Sequence, residues 1–217
     1  MEAQSQAAVD WWARPREGAQ ATSWITGYRQ SLAARHRDVV VEAVGTLGAR
    51  SVLEVGCHCG PNLIRLAQAD PALSCLGLDV NAGAVAAGTA WLADLGVSDR
   101  VRLQVGAFPA ATAAMEGQCA DVVLSVYALA YLSDADLDAA LYEVGRLARR
   151  GVVLAEPMAD AQTPVGAMHT LQGYTEWRHD YDARIPWIGT LRDMTIRSMP
   201  IAPPVDRLNA VRVYARA

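Results

Sequence analysis

The 217-residue sequence lacks the marks of membrane-spanning, secreted and nucleic-acid-binding proteins. No stretch approaches the roughly 20 apolar residues that a membrane-spanning helix needs. The N-terminus has neither the basic segment nor the apolar run of a secretory signal. The net charge is -4, and a phosphate-binding surface usually needs a basic excess. These absences predict a cytoplasmic protein with no membrane and no nucleic-acid partner.

Cysteine is scarce, and its spacing excludes a paired C-x-x-C framework. Of the four cysteines, Cys57 and Cys59 flank His58 in a short turn. A metal site formed by these three residues is the alternative interpretation of that cluster. Consecutive residues on a tight turn rarely converge on one tetrahedral ion, so we predict no metal site.

Apolar runs alternate with helical patterns through the middle of the chain. Strands are expected near 51–55, 74–79, 101–105, 121–126 and 151–155, and helices near 62–69, 82–95 and 134–149. This alternation predicts an α/β protein with a doubly wound, mostly parallel sheet. Residues 5 to 47 look mostly helical, with interruptions at Pro15 and Gly18. Residues 158 to 190 show no clear periodicity, and we expect helix and loop outside the sheet there.

The segment 51–62 is the most informative part of the sequence. It has the pattern of a buried strand, a glycine turn and a helix, and Glu54 stands two residues before Gly56. Glycine lets backbone N–H groups and a helix N-terminus approach a ligand closely. The strand that follows ends in Asp79, and a carboxylate at that position suits the paired hydroxyls of a ribose. The two features together indicate a nucleoside-containing cofactor.

The glycine spacing distinguishes between cofactors. The dinucleotide fingerprint G-x-G-x-x-G is absent. Gly56 and Gly60, with His58 between them, resemble instead the E/D-x-G-x-G-x-G signature of class I S-adenosylmethionine (SAM) dependent methyltransferases. Asp79 matches the acidic second motif of that family, and the resemblance covers roughly residues 45–157. A narrower similarity is to small bacterial methylases associated with surface-sugar or secondary-metabolite pathways.

The resemblance implies a fold and a division of the chain. The expected architecture is a Rossmann-like seven-stranded sheet that ends in an antiparallel strand pair, here from runs near 194–201 and 210–215. The whole chain, 1–217, would be one methyltransferase domain. It would consist of a helical leader (1–47), a cofactor-binding core (48–157) and an acceptor-side segment with the terminal strands (158–217). The leader aromatics either cover the site as a lid or pack a helix onto the sheet.

The resemblance also implies SAM as the cofactor, bound at the carboxyl ends of the strands. Asp79 would take the ribose hydroxyls, Glu54 would order the glycine loop or hold the ammonium through water, and Tyr28 would contact the carboxylate. The expected cofactor residues are Tyr28, Glu54, Gly56, Cys57, His58, Gly60, Asn62, Asp79, Val80, Gly106, Ala107, Phe108, Ser125 and Tyr127.

Three positions depart from the family pattern. His58 replaces the middle glycine, although histidine tolerates a positive φ better than most side chains. Ala107 stands where an adenine-contacting Asp is frequent. The segment 129–132 lacks a histidine that is often found in relatives.

The catalytic candidate is His179, since a methyl acceptor often needs a general base and histidine titrates nearest to neutrality. His169 is the second candidate, and a structural role for His179 beside Asp180 on a surface helix is the alternative. Trp177, Tyr181 and Trp187 either line an acceptor pocket or cover the sheet edge.

The sequence therefore predicts an enzyme that transfers a methyl group from SAM to an oxygen or nitrogen of a small-molecule acceptor. Two alternatives remain: a non-catalytic binding or interaction module of the same fold, and a nucleotide-dependent oxidoreductase. A homodimer is left open.

Overall fold

A central seven-stranded sheet organises the protein, which was studied as a computed structural model. The structure describes residues 3–15, 18–159, 164–171, 174–205 and 208–216. Its strands are β1 (Ser51–Val55), β2 (Ser74–Asp79), β3 (Val101–Val105), β4 (Ala120–Val126), β5 (Ala148–Ala155), β6 (Gly166–Leu171), β7 (Tyr174–Arg178), β8 (Thr195–Val205) and β9 (Leu208–Ala215). Its α-helices are α1 (Ala3–Ala13), α2 (Gly18–Gln30), α3 (Arg35–Thr46), α4 (Pro61–Ala69), α5 (Ala82–Asp94), α6 (Asp134–Leu147) and α7 (Tyr181–Arg184).

The strand order of the main sheet is β3-β2-β1-β4-β5-β9-β8. Strands β1 to β5 are parallel, whereas β9 runs antiparallel to both β5 and β8. The order reverses at β1, where the chain crosses from one half of the sheet to the other. The predicted Rossmann-like sheet with a terminal antiparallel pair is confirmed.

Helices cover both faces of this sheet, and the central strands are therefore buried throughout. Successive residues point to opposite faces. Val52 and Val122 belong to the core beneath α3 and α4, and Leu53 and Val123 belong to the core beneath α6. This double burial explains why the strands read as continuous apolar runs.

The prediction for 158–190 was wrong in part, since β6 and β7 form a separate antiparallel hairpin. In this hairpin Thr170 pairs with Thr175 and His169 with Glu176. The hairpin packs against α1 and the short helix 129–131. Three successive residues at the start of β7 are buried, so the strand lacks the alternation of polar and apolar residues by which a half-buried strand is recognised.

Two boundaries also differ from the prediction. Helix α6 ends at Leu147, and β5 begins at Ala148 rather than near 151. Strand β8 continues to Val205, through the two prolines expected to separate the terminal strands. An edge strand tolerates proline because one of its sides has no ladder to complete. None of the helices within the described ranges is long and apolar enough to span a bilayer.

Candidate active site

A cavity of about 780 Å³ opens at the carboxyl ends of β1, β2, β3 and β4. Gly56 follows β1, Asp79 ends β2, Gly106 follows β3 and Tyr127 follows β4, and all four line the cavity. This edge of an open α/β sheet, beside the reversal of strand order, is where ligands of such folds bind. Helices α1 and α2 and strand β7 supply the opposite wall.

The turn between β1 and α4 depends on three residues with left-handed backbone. Their φ angles are 72° at Gly56, 49° at His58 and 78° at Gly60. A Cβ on Gly56 would lie 2.3 Å from the Cβ of Ala128, so a larger residue does not fit there. The N–H groups of Gly56 and Cys57 donate to the Leu78 carbonyl, at 2.8 and 3.0 Å, and so tie the turn to β2. His58 therefore keeps the turn conformation for which the family pattern uses glycine.

Asp79 forms the floor of the cavity between β1 and β2. Its carboxylate accepts hydrogen bonds from the backbone N–H groups of His58 (2.7 Å) and Asn81 (2.8 Å). A carboxylate has about four lone-pair positions, so acceptor capacity remains for a ligand. Burial raises the pKa of Asp79. The position is that of the predicted ribose-binding acid.

Glu54 does not line the cavity but lies fully buried behind the glycine turn. Its Oε1 accepts a hydrogen bond of 2.5 Å from the Asn62 amide, and Asn62 Oδ1 accepts one from Arg37. Burial raises the pKa of Glu54 to about 7. The prediction that Glu54 orders the loop fits this network.

Arg37 is a cavity residue that sequence reasoning missed. It lies on the first turn of α3, is 4% exposed, and also donates to the carbonyl (2.8 Å) and the hydroxyl (2.7 Å) of Ser31. Its link to Asn62 joins α3 to the first turn of α4 across 25 residues of sequence. The sequence offers one signal for Arg37, which is its position beside the apolar stripe of α3.

Glu156 is a second residue that was missed, and it shapes the loop after β4. Its buried carboxylate accepts the Ser125 hydroxyl at 2.6 Å and the N–H groups of Ala128 (3.0 Å), Leu129 (3.2 Å) and Ala130 (3.2 Å). These bonds hold the short helix 129–131, which occupies the segment without the expected histidine. The sequence signal was an acid directly after a buried parallel strand.

Most of the predicted cofactor residues line the cavity. Those that do so are Tyr28, Gly56, Cys57, His58, Asp79, Val80, Gly106, Phe108 and Tyr127. Those that do not are Glu54, Gly60, Asn62, Ala107 and Ser125. Gly60, Glu54, Asn62 and Ser125 act through the loops that they position. The carbonyl of Ala107 accepts a hydrogen bond from the Ala111 N–H at 2.7 Å, which shapes the loop after β3.

The leader aromatics lie over the glycine turn. The Tyr28 ring stacks on His58 with centroids 3.9 Å apart, and Trp24 meets His58 edge-on at 4.6 Å. Trp12 stacks on Trp24 at 5.2 Å. Because Trp12, Trp24 and Tyr28 line the cavity, they do more than pack a helix onto the sheet. These residues cover the glycine turn.

His179 does not lie at the cavity, contrary to its predicted role as a general base. It follows β7 rather than standing on a surface helix, and its ring is fully buried. Nε2 is 3.0 Å from the Leu132 carbonyl and Nδ1 is 3.3 Å from Asp134. Burial lowers its pKa. These contacts give His179 a structural role.

The other candidates near the hairpin are also away from the cavity. Tyr181 is fully buried, Trp187 is 87% exposed, and neither they nor Trp177 line the cavity. The side chain of His169 lies outside the described part of the structure. Within the described ranges no His, Cys, Asp and Glu side chains group as metal ligands would. Cys57 instead packs its Sγ against Gly77.

The sequence matches a family model described as a methyltransferase domain over residues 52–151. This range contains the glycine turn, Asp79, and the loops after β3 and β4. Over these residues the chain is similar to a methyltransferase domain. The predicted resemblance to the SAM-dependent methyltransferase family is thereby confirmed, and the match supports the predictions of an enzyme and of SAM as its cofactor. No curated protein matches the chain.

Solved structures of methyltransferases share the fold. An O-methyltransferase family protein from Burkholderia thailandensis is 18% identical with a TM-score of 0.67, and the match covers 88% of this chain and 58% of that one. An O-methyltransferase from neocarzinostatin biosynthesis, in complex with S-adenosylhomocysteine and 1,4-dihydroxy-2-naphthoic acid, is 20% identical (TM-score 0.64; 91% and 58% covered). Magnesium protoporphyrin IX methyltransferase from Synechocystis PCC 6803, with bound SAM, is 17% identical (TM-score 0.67; 100% and 99% covered).

These similarities establish the fold of the methyltransferase domain and leave its acceptor open. The chain spans 58% of the Burkholderia protein and of the neocarzinostatin enzyme, but 99% of the Synechocystis enzyme.

Proposed function

We propose that this protein transfers a methyl group from SAM to an oxygen or nitrogen of a small-molecule acceptor. The observation that carries the proposal is Asp79, which faces the cavity beside a glycine turn at the reversal of strand order. The neocarzinostatin enzyme with its bound naphthoic acid supports a small-molecule acceptor for this fold.

The cavity residues fit the polar groups of SAM. The remaining lone pairs of Asp79 suit two ribose hydroxyls, and the guanidinium of Arg37 suits a carboxylate. Tyr28 lies beside Arg37 as a second candidate for that carboxylate, and Gly106 and Phe108 border the space for an adenine. When bound, SAM supplies an electrophilic methyl group on a sulfonium.

The protein would then contribute mainly alignment and exclusion of water. The leader aromatics cover the glycine turn, and the loop after β4 is fixed by Glu156, so the walls of the cavity are held before an acceptor arrives. Alignment of this kind is worth roughly 7–11 kcal/mol when reacting atoms are held in near-attack geometry. Cavity side chains that can move a proton are His36, His58 and Glu176, all of them buried.

Asp79→Asn tests the cofactor site by calorimetric titration with S-adenosylhomocysteine. A charged hydrogen bond is worth about 1.5–3 kcal/mol, so we expect binding to weaken by roughly 10- to 100-fold. Asp94→Asn is the matched control, because Asp94 is an exposed residue at the end of α5 and should bind as the wild type does.

Thermal unfolding of the same proteins supplies a second readout. S-adenosylhomocysteine at 100 times its Kd should stabilise the wild type by about 2.7 kcal/mol. The proposal fails if neither SAM nor its demethylated product binds the wild type at millimolar concentration, or if Asp79→Asn binds both unchanged.

A further inference from the structure

One end of the cavity is walled by aromatic rings from three separate elements. Trp12 of α1 lies 5.2 Å from Trp24 of α2 and 5.2 Å from Tyr131 of the short helix 129–131, measured between ring centroids. All three residues line the cavity. The faces of such rings are negative and attract cations, most strongly in a site shielded from water.

A carboxylate accompanies these rings. Glu176 lies on β7, lines the cavity and is 5% exposed. It is two residues from Tyr174, so both side chains stand on the same face of the strand. The Tyr174 ring lies 5.6 Å from Tyr131 and 6.2 Å from Trp12. Glu176 therefore lies on the same side of the cavity as these aromatic rings.

The two carboxylates of the cavity act on different tyrosines. Burial and then Asp79 raise the pKa of Tyr28, whereas burial and then Glu176 raise the pKa of Tyr131. Asp79 and Glu176 are the carboxylates that line the described cavity, and they come from different strands, β2 and β7. The basic residues of the described lining come from α3 and the glycine turn, and they are His36, Arg37 and His58.

We propose that the acceptor carries a cationic amine, bound beside Tyr131 between Glu176 and the rings of Trp12 and Tyr131. This inference rests on the proposed function and assigns an acceptor class to the same site. An ammonium gains there from the carboxylate and from the ring faces, while a carboxylate or a phenolate is repelled by both. The cofactor occupies the opposite end, where Asp79 and Arg37 match its hydroxyls and its carboxylate. Apolar residues at the amine end suit the hydrocarbon part of the acceptor, and they are Ala8, Val9, Leu129 and Leu132.

The test uses three probes of similar shape but different charge. Phenethylamine, 2-phenylethanol and phenylacetate are titrated by calorimetry into the wild-type protein near neutral pH, with S-adenosylhomocysteine at saturation. We expect phenethylamine to bind at least about tenfold more tightly than the neutral alcohol. Phenylacetate should bind more weakly than either.

Two variants separate charge recognition from general packing. Glu176→Gln keeps the shape of the side chain and should remove the preference for the amine over the alcohol, without weakening the alcohol. Trp12→Leu keeps an apolar side chain but removes a ring face, and it should weaken the amine more than the alcohol. Glu116→Gln changes an exposed glutamate outside the cavity and should leave all three affinities unchanged.

The outcomes separate this inference from the proposed function. Failure of S-adenosylhomocysteine to bind would overturn the proposed function, and the charge series is then repeated without it to judge the amine site. Equal binding of amine and alcohol, no detectable binding of phenethylamine at millimolar concentration, or an equal loss of both probes in Glu176→Gln would overturn the amine site.

Discussion

At the scale of single residues, the site depends on acidic groups with different tasks. Asp79 faces the cavity and keeps acceptor capacity, whereas Glu54 is enclosed behind the turn. Enclosure disfavours the charged carboxylate, so burial raises the pKa of Glu54 to about 7 from the ordinary 4.5, while the hydrogen bond from Asn62 opposes this shift. The carboxyl group of Glu54 therefore orders the loop, whereas that of Asp79 is suited to bind a ligand.

This raised pKa predicts a pH dependence of stability. The folded protein holds the Glu54 proton more tightly than the unfolded chain does. The stabilisation that this bound proton gives to the folded state is therefore complete below about pH 4.5 and is lost as pH rises through about 7. The difference corresponds to about 3 kcal/mol. In Glu54→Gln, which mimics the protonated form, urea denaturation should show a smaller decline of unfolding free energy across this window.

Glu116→Gln is the control for that series, because Glu116 is exposed. A decline that is equally steep in Glu54→Gln and in the wild type would contradict the assignment of the pH dependence to this carboxyl group.

At the scale of elements, Asn81 connects the leader to the core. Its Oδ1 accepts from the Ala84 N–H at 2.8 Å and caps α5, while its amide donates to the Trp12 carbonyl at 2.7 Å. Helix α1 is held further by the Ser5 hydroxyl, which accepts from the Ser133 N–H at 2.9 Å. A polar side chain two residues after Asp79 thus fixes the position of an aromatic residue that lines the cavity.

Two substitutions at Asn81 should separate its two roles. Asn81→Asp keeps the capping oxygen but replaces the donor to Trp12 with a buried acceptor, so amide hydrogen exchange in α1 should accelerate. Asn81→Ala loses both contacts, and loss of the cap should cost about 0.5–2 kcal/mol of unfolding free energy. Equal protection of α1 in the wild type and in Asn81→Asp would show that this bond does not hold the leader.

At the scale of the whole molecule, the parallel and antiparallel parts of the sheet meet between β5 and β9. Gly151 pairs with Ala215 at this junction, and a Cβ on Gly151 would lie 2.5 Å from the Tyr214 carbonyl oxygen. The terminal pair is anchored by Tyr214, whose hydroxyl donates to Asp182 at 2.8 Å. Close approach of two backbones therefore requires glycine where the sheet changes direction.

Gly151→Ala should consequently destabilise the protein by about 1–3 kcal/mol, because the added methyl group forces the strands apart. Gly45→Ala is the control, since a Cβ there meets nothing within 4 Å and lies in helix α3. Alanine in a helix should stabilise by about 0.5–1 kcal/mol. Urea denaturation measures both changes, and a Gly151→Ala protein as stable as the wild type would contradict the steric account.

Local patterns sufficed for the parts of the protein that local interactions determine. Strands β2 and β3 begin and end where they were predicted, because a short run of strand-forming residues flanked by breakers needs no distant partner to be recognised. The glycine turn and Asp79 were likewise predictable from the sequence, since the conformation of a turn and the charge of a side chain depend on only a few neighbouring residues. His58 fits the same rule, as its φ of 49° lies in the region where histidine is tolerated.

Contacts between distant segments had to be seen in the tertiary structure. Arg37 reaches Asn62, Glu156 binds the loop after β4, and the hairpin of β6 and β7 brings Glu176 to the cavity. His179 is buried for the same reason, because the segment before α6 folds over it. The sequence by itself thus determined the doubly wound sheet and its glycine turn through local periodicity and backbone preference. Only the tertiary structure decided which side chains wall the cavity, since that depends on long-range packing of the leader and the hairpin.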